Sequence, residues 1–386
     1  MRTFTEERIP ILSWLDDLSG TTLAQTRHLA ALPFAYHHVA IMPDAHEGYG
    51  MPIGGVFAAL GHVVPNAVGL DIGCGVRAWR TGVGAEEFAP YRHQVLNDIQ
   101  RNVPVGFEWR KRPSRAAADL FSSAPEAPAL HAQLDRARRQ LGTMGGGNHF
   151  LEVQRDDEGN VWAMVHSGSR NVGKQMAEHY NRVAKELQRG VTDPIPEGWD
   201  LAPLPAESPE GREYLAVMRW CLRFAEENRA AMQRCVHEAF ERRVPGYAPE
   251  DHVDVHHNYA SLETHFGREV YLHRKGAVRA VGTVIVPGSM GTSSYVGRGL
   301  ANPDAFESCA HGAGRAMSRG EAKRRMPVES VVREMRELDV ELFKVRKRDV
   351  AEEAPRAYKD IDDVMAAQSD LVEPGTRLTP LGVVKG

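Results

Sequence analysis

Cysteine is scarce in this chain: there are four in 386 residues, at positions 74, 221, 235 and 309. That number and spacing build no disulfide framework and no CxxC zinc finger, so a reducing, cytoplasmic setting is expected. Long hydrophobic runs are missing too. None approaches the ~18 apolar residues of a membrane span, so no membrane partner is expected. The opening MRTFTEERIPILSW lacks the basic region and long apolar core of a secretion signal. Nor does one sign of charge dominate. A net charge of −4 excludes a general polyanion binder of the histone kind. Basic residues cluster only locally, in WRKRPSR (109–115), AKRRM (322–326) and FKVRKR (343–348). Each such run reads either as a solvated face or as a local phosphate-facing patch.

What is present is a globular composition, 42% hydrophobic and 25% charged. Residues 1–35 read as a short helical lead-in. Residues 37–82 alternate apolar runs with glycine loops, which predicts strands joined by tight turns. Residues 85–141 are polar and expected to be mostly helical. VWAMVH (161–166) predicts a buried strand, with a helix behind it at 173–188. The Pro- and Gly-rich stretch 191–211 is a loop, either a lid or an excursion over the surface. A helix over 212–243 follows, with Cys221 and Cys235 near its apolar stripe as small core residues. Strands return at 252–257, 268–273 and 280–287, and the tail from 321 reads as charged and helical. No linker marks a boundary, so the expectation is one domain over 1–386.

The polar residues that a plain core would not want fall in short segments: MPDAHEGYG (42–50), DIGCG (71–75), GGGNHFLE (145–152), VHSGSR (165–170) and DVHHNYA (254–260). Each puts a His, Asp or Cys at the end of an apolar run or inside a glycine loop. There a strand end can point a ligand into a cleft. Singly, each has a bland reading: His166 as a hydrogen-bonded structural histidine, Asp71 as a turn cap, Cys74 as a small buried filler. Together, one carboxylate, one thiol and several imidazoles make the donor set of a divalent transition metal. Mn, Zn and Fe all remain open. A thiolate shared between two ions suits phosphoryl chemistry.

SCAHGAGRAMSR (308–319) sets His311 beside Gly312, Ala313 and Gly314, with Arg315 and Arg319 after it. Small neighbours admit a phosphate, backbone N–H groups form an anion nest, and the arginines offset its charge. A histidine so placed suits either covalent attack on phosphorus or general acid/base work. The competing reading is a glycine-rich helix entry with an incidental histidine.

In order and in nearly every position, these segments resemble the RtcB family of GTP-dependent RNA ligases. The matching stretches are MPDAHEGYGMPIGG, VGLDIGCGVR, LGTMGGGNHFLE, VHSGSRNVG, HHNYA, VPGSMGTSSYV, HGAGRAMSR, AYKDIDDV and the terminal PLGVVKG. The resemblance implies an α+β fold, central β-sheets surrounded by helices. It implies two Mn2+ ions on Asp71, Cys74, His149, His166 and His257, with the cysteine bridging and His256 a neighbour. His311 would attack the α-phosphate of GTP and carry GMP. Asn148, the backbone of Gly312, Ala313 and Gly314, and Arg315 would hold phosphates or ribose. Glu152, Ser294, Tyr358 and Lys385 would face the guanine. Asp44 would support the chemistry, and Arg170 and Arg319 would contact RNA phosphate. The implied substrates are RNA ends bearing a 3′-phosphate or 2′,3′-cyclic phosphate and a 5′-hydroxyl, in tRNA splicing or RNA repair. An archease-type activator is an implied partner. One departure is Glu47, where the family often carries a large aromatic. The alternative is a metal-dependent phosphoesterase that trims such ends without joining them.

Overall fold

A computed structural model describes residues 1–114, 117–344 and 347–386, without the side chains of 344–349. Arg115, with residues 345–346 and the side chains of 344–348 in the third basic run, therefore lies outside what is described. Two mixed or antiparallel sheets form the centre, and helices cover them, an α+β arrangement. One sheet has six strands in the order Arg2–Phe4, Ile11–Ser13, Ala35–His46, Ile53–Ala59, Arg268–Lys275, Asn258–His265. The other runs His252–His256, Gly75–Gly84, Asn160–Ser167, Phe150–Asp156, Val372–Lys385, Ser294–Leu300, Val281–Val286, with Glu341–Lys344 parallel to the long Val372–Lys385 strand.

Two expectations need correction. The N-terminal 35 residues are not simply helical. Ile11–Ser13 alternates buried and half-buried positions and pairs in parallel with Val39–Ile41, so β-pairing wins there; the helix is Gly20–Ala31. The tail is helical at Arg319–Arg325 and Val328–Glu337, but it ends in a 14-residue strand between two others. The closing apolar alternation Leu378–Val384 is buried there. Cys221 is buried, whereas Cys235 is only half-buried.

Antiparallel order puts functional ends side by side. Cys74 precedes Gly75–Gly84, His166 lies near the end of Asn160–Ser167, His149 precedes Phe150–Asp156, and Lys385 ends Val372–Lys385. Register makes these neighbours: His166 faces Val76 on one side and Phe150 on the other, and Phe150 faces Lys385. His257 is the single residue between a strand of one sheet and a strand of the other.

Behind this rim runs the 35-residue helix Pro209–Arg243, started by Ser208, whose hydroxyl accepts from the Gly211 N–H. Its apolar positions pack into two of the core clusters, yet it also buries Asn228 and Arg229 completely. Arg229 donates to the carbonyls of Gly73 and Ser167, both at 3.0 Å, and is paired with Asp254. Asn228 accepts from the N–H groups of Gly142 and Thr143 and donates to the Gly168 carbonyl. The helix thus ties the DIGC turn to the strand end that carries His166. Arg229→Met leaves Asp254 with Arg77 alone and two buried carbonyls unpaired. It should cost about 3 kcal/mol, at the low end for breaking a buried ion pair, read as a lowered urea midpoint at unchanged slope.

Candidate active site

Where the strand ends of the two sheets meet, a cleft of about 960 Å³ opens. One wall carries the donor cluster. Cys74 Sγ lies 3.3 Å from His166 Nε2 and 3.4 Å from His149 Nε2, and His149 Nε2 lies 2.9 Å from Asp71 Oδ2. Two sets of donor atoms each fall within 4.8 Å of one another: Cys74, His166 and His257, and Asp71, Cys74 and His149. They share Cys74. His256 stands apart, its ring edge-on to Tyr259.

The local chemistry fits a cation at this wall. His149 Nδ1 lies 2.9 Å from the Met144 carbonyl and its Nε2 lies 2.9 Å from Asp71 Oδ2; a single ring N–H can serve only one of these two acceptors, and with Nδ1–H on Met144 the Nε2 lone pair is available to a cation. Asp71 Oδ1, His166 Nδ1 and His257 Nδ1 are buried and make no hydrogen bond. Burial pushes the Cys74 thiol well up, and the Asp71 carboxylate pushes it further, so a thiolate needs a positive partner there. Burial holds the His166 and His257 rings neutral well below the usual histidine range, with other histidines adding to the effect. For Asp71, burial opposes ionisation. The His149 hydrogen bond and the His149 and Arg170 charges outweigh it and keep the carboxyl below its ordinary range. Carboxylate, imidazoles and a thiol suit a divalent transition metal.

The facing wall carries His311, which follows the short strand Ser308–Ala310. Its Nδ1 donates to Asp44 Oδ2 at 2.6 Å, and its backbone N–H donates to the same oxygen at 3.2 Å. Asp44 is wholly buried in Ala35–His46. The pair fixes one tautomer and leaves Nε2 with its lone pair. The rings of His311 and His257 are 4.7 Å apart, so the two walls touch. Gly314, at φ +71°, has no room for a side chain: a Cβ would fall 2.1 Å from the Asp44 carbonyl. Lys359, from the AYKDIDDV stretch, donates to the carbonyls of Pro43 and Ala45 and braces the Asp44 backbone on both sides.

Further along, Asn148, Arg315, Tyr358, Lys385 and the Gly312–Ala313–Gly314 backbone line the cleft. Glu152 and Ser294 are buried behind it and joined through Gln154, which donates to Glu152 at 2.8 Å and to Ser294 at 3.1 Å. Burial pushes Glu152 up to about 8, although Lys385 opposes this. Lys385 itself is paired with Glu353 at 2.8 Å, and Glu353 also accepts from the Tyr358 hydroxyl. Arg170 and Arg319 flank the Gly145–Gly147 turn. A Cβ at Gly145 would fall 1.9 Å from the Arg170 guanidinium, and one at Gly147 would fall 2.9 Å from that of Arg319.

A sequence profile described as tRNA-splicing ligase RtcB matches residues 25–386. The chain belongs to the RtcB family. Its relatives include the RNA-splicing ligase RtcB of Escherichia coli K12, 36% identical with 99% of this chain and 98% of that protein covered. The tRNA-splicing ligase RtcB of Thermococcus kodakarensis is 34% identical over 95% of this chain and 91% of its own length. The RNA-splicing ligase RtcB of Mycobacterium tuberculosis is 35% identical over 94% and 100%. No helix among the described residues is long and apolar enough to cross a membrane.

Sequence reading passed over four residues of this RtcB-family site. Gln154 had a signal, since it shares a strand face with Glu152 two positions earlier. Lys275 had a weaker one, a lysine at the end of a strand directly before Gly276. It is buried in the cleft wall and donates to the carbonyls of Tyr49 and Asn66; burial lowers it to about 7, against the pull of Asp200. Lys359 sat unremarked in a quoted motif. Glu353, second of two adjacent glutamates, had no pattern to mark it.

The Glu353 pair makes a pH prediction. Burial would raise this carboxyl, but Lys385 outweighs it and depresses it from 4.5 to about 2. The stabilisation is therefore fully present above pH 4.5 and is lost as pH falls toward about 2. Glu353→Gln should flatten that part of the stability curve, read as urea midpoints of wild type and variant between those limits.

Proposed function

We propose that this chain is an RNA ligase that joins a 3′-phosphate or 2′,3′-cyclic phosphate end to a 5′-hydroxyl end at the expense of GTP. The observation that carries this is His311, held by buried Asp44 and set 4.7 Å from the donor cluster. Family membership supports it, and the relatives are named as RNA- or tRNA-splicing ligases.

Asp71, Cys74, His149, His166 and His257 would hold two divalent ions, Mn2+ by family, which supply positive charge to phosphate oxygens. His311 attacks the α-phosphorus of GTP through Nε2; the N–P bond forms as the bond to pyrophosphate breaks. Asp44 accepts the Nδ1 proton throughout and stabilises the charge that grows on the ring. The RNA 3′-phosphate then takes GMP from His311, giving an RNA-3′-pp-5′-G end. The 5′-hydroxyl attacks the RNA-side phosphorus of that end; the new O–P bond forms as the bond to GMP breaks, GMP leaves, and the hydroxyl proton passes to water. Asn148, Arg315 and the Gly312–Gly314 backbone meet the nucleotide phosphates and ribose. Glu152, Ser294, Tyr358 and Lys385 form the base end of the site. Arg170 and Arg319 oppose the RNA phosphate. A cyclic phosphate is first opened to the 3′-phosphate at the same wall. An archease-type activator belongs to the same reading, as does a tRNA-splicing or RNA-repair role. End trimming without joining needs the donor wall but not the His311–Asp44 pair, and that pair favours the ligase.

Incubation with Mn2+ and α-labelled GTP, then a denaturing gel, tests the proposal. Wild type should retain label and His311→Ala should retain none. Asp44→Asn keeps the shape but donates to Nδ1, forcing the wrong tautomer. It should slow labelling by roughly 10^4-fold, the scale of the same change in a Ser-His-Asp triad. Cys74→Ala should lose Mn2+ binding by calorimetry together with the label. An unlabelled but Mn2+-binding wild type would leave the phosphoesterase instead.

A further inference from the structure

The first basic run, WRKRPSR, has no part in the cleft chemistry, yet its segment is fastened to the cleft's rim. Val103 and Val105 are buried. The Gly106 N–H donates to the Gly145 carbonyl at 2.7 Å, and the Met144 N–H donates to the Pro104 carbonyl at 2.9 Å. Gly145 is the residue that the Arg170 guanidinium covers, and Met144 is the one whose carbonyl orients His149. Beyond Gly106 the chain stays anchored. The Arg110 N–H donates to Arg139, and its guanidinium donates to the carbonyls of Leu141 and Gly142. Arg110 is thus a structural clamp.

Between and after these anchors, the side chains turn outward. Phe107 is 86% exposed and Trp109 is 43% exposed. Lys111, Arg112 and Arg139 are exposed beside them, and Glu108 is the acidic residue in the run. One exposed aromatic needs no explanation. Two on an anchored backbone, followed by exposed cations at 111 and 112 and joined to the turn that Arg170 and Arg319 flank, match the chemistry of single-stranded nucleic acid. Bases stack on the rings whatever their sequence, and the cations track the backbone. A helix-like or apolar protein partner would want a groove, whereas this surface alternates rings with charge.

We propose that Phe107, Trp109, Lys111, Arg112 and Arg139 form a docking surface for a single RNA strand on its way into the cleft. This rests on the RNA-ligase reading. It adds that nucleotides beyond the reacting end are held by stacking on the Gly145–Gly147 side of the site.

Fluorescence anisotropy with labelled single-stranded RNA of about 15 nucleotides and with a dinucleotide, both ending in a 3′-phosphate, tests it. Phe107→Ala/Trp109→Ala should weaken the longer RNA by about tenfold or more and leave the dinucleotide unchanged, while Trp109→Phe keeps most of the affinity. Lys111→Glu/Arg112→Glu should shrink the slope of log K against log salt by about 1.4, near 0.7 for each of two phosphates. Both pairs are exposed, so unfolding midpoints should match wild type. Variants that bind the longer RNA within about twofold of wild type overturn the docking surface and leave the ligase reading standing. A wild type that binds neither RNA overturns both.

Discussion

Everything at the cleft depends on one buried contact. Arg229, deep in the long helix, holds the Gly73 and Ser167 carbonyls at 3.0 Å from one guanidinium nitrogen. Cys74 follows the first of these residues and His166 precedes the second, so a single planar fork sets the distance between two donors on different elements. Asn228, its neighbour, does the same for the turn that leads to His149. Asp254 keeps the guanidinium in place and comes from the strand that runs into His257. One turn of helix therefore registers four of the donor segments. An arginine buried this deeply is an expense a fold carries where position matters more than stability.

The two walls of the cleft differ in how complete they are. On the His311 wall, most groups are paired, His311 with Asp44, Lys385 with Glu353, Glu152 with Gln154, and the Asp44 backbone with Lys359, while Asp44 Oδ1 and Gln154 Oε1 are buried without a hydrogen bond. On the donor wall, His149 has an acceptor at each ring nitrogen, three polar atoms have no partner, and a thiol is pushed away from ionising. A protein interior tolerates such an imbalance when something positive completes it. The thiol, imidazoles and carboxylate gathered within reach of one another, more than any single distance, are the physical case for a cation between Cys74 and its neighbours, and they stand apart from family membership.

Much of this could be read from the sequence where chemistry and pattern coincide. Asp71, Cys74, His149 and His166 interrupt apolar runs with polar donors, and a polar residue at a strand end bordered by glycine is conspicuous. The choice of His257 over His256 was different. It depends on which of two adjacent residues falls at the crossing between sheets, and no local pattern carries that; only the family resemblance offered it. Arg229 and Asn228 were invisible for a related reason. In a helix of alternating charge and apolar residues, a buried arginine looks like an exposed one until the loops it holds are in place. The N-terminal strands were misread because three-residue strands have too short a period to compete with a helical reading; their pairing with Val39–Ile41 decides them. The final strand shows a similar limit. Its charged approach reads as helix, and its apolar end gains meaning only beside Phe150–Asp156 and Ser294–Leu300.

The glycines complete the argument, because they are set by what must come close and not by turns alone. At Gly145 the space of a side chain is taken by the Arg170 guanidinium, and at Gly314 by the Asp44 carbonyl. In the first case a cation is brought against the backbone beside a donor histidine. In the second, the backbone that follows His311 is pressed onto the residue that orients it. Any larger residue at either place would move a charged group by more than an ångström, and in a water-poor cleft that distance decides whether charges compensate or repel. The glycine-rich segments are therefore the means by which two sheets, each folded for its own packing, bring their polar strand ends within reach of one substrate.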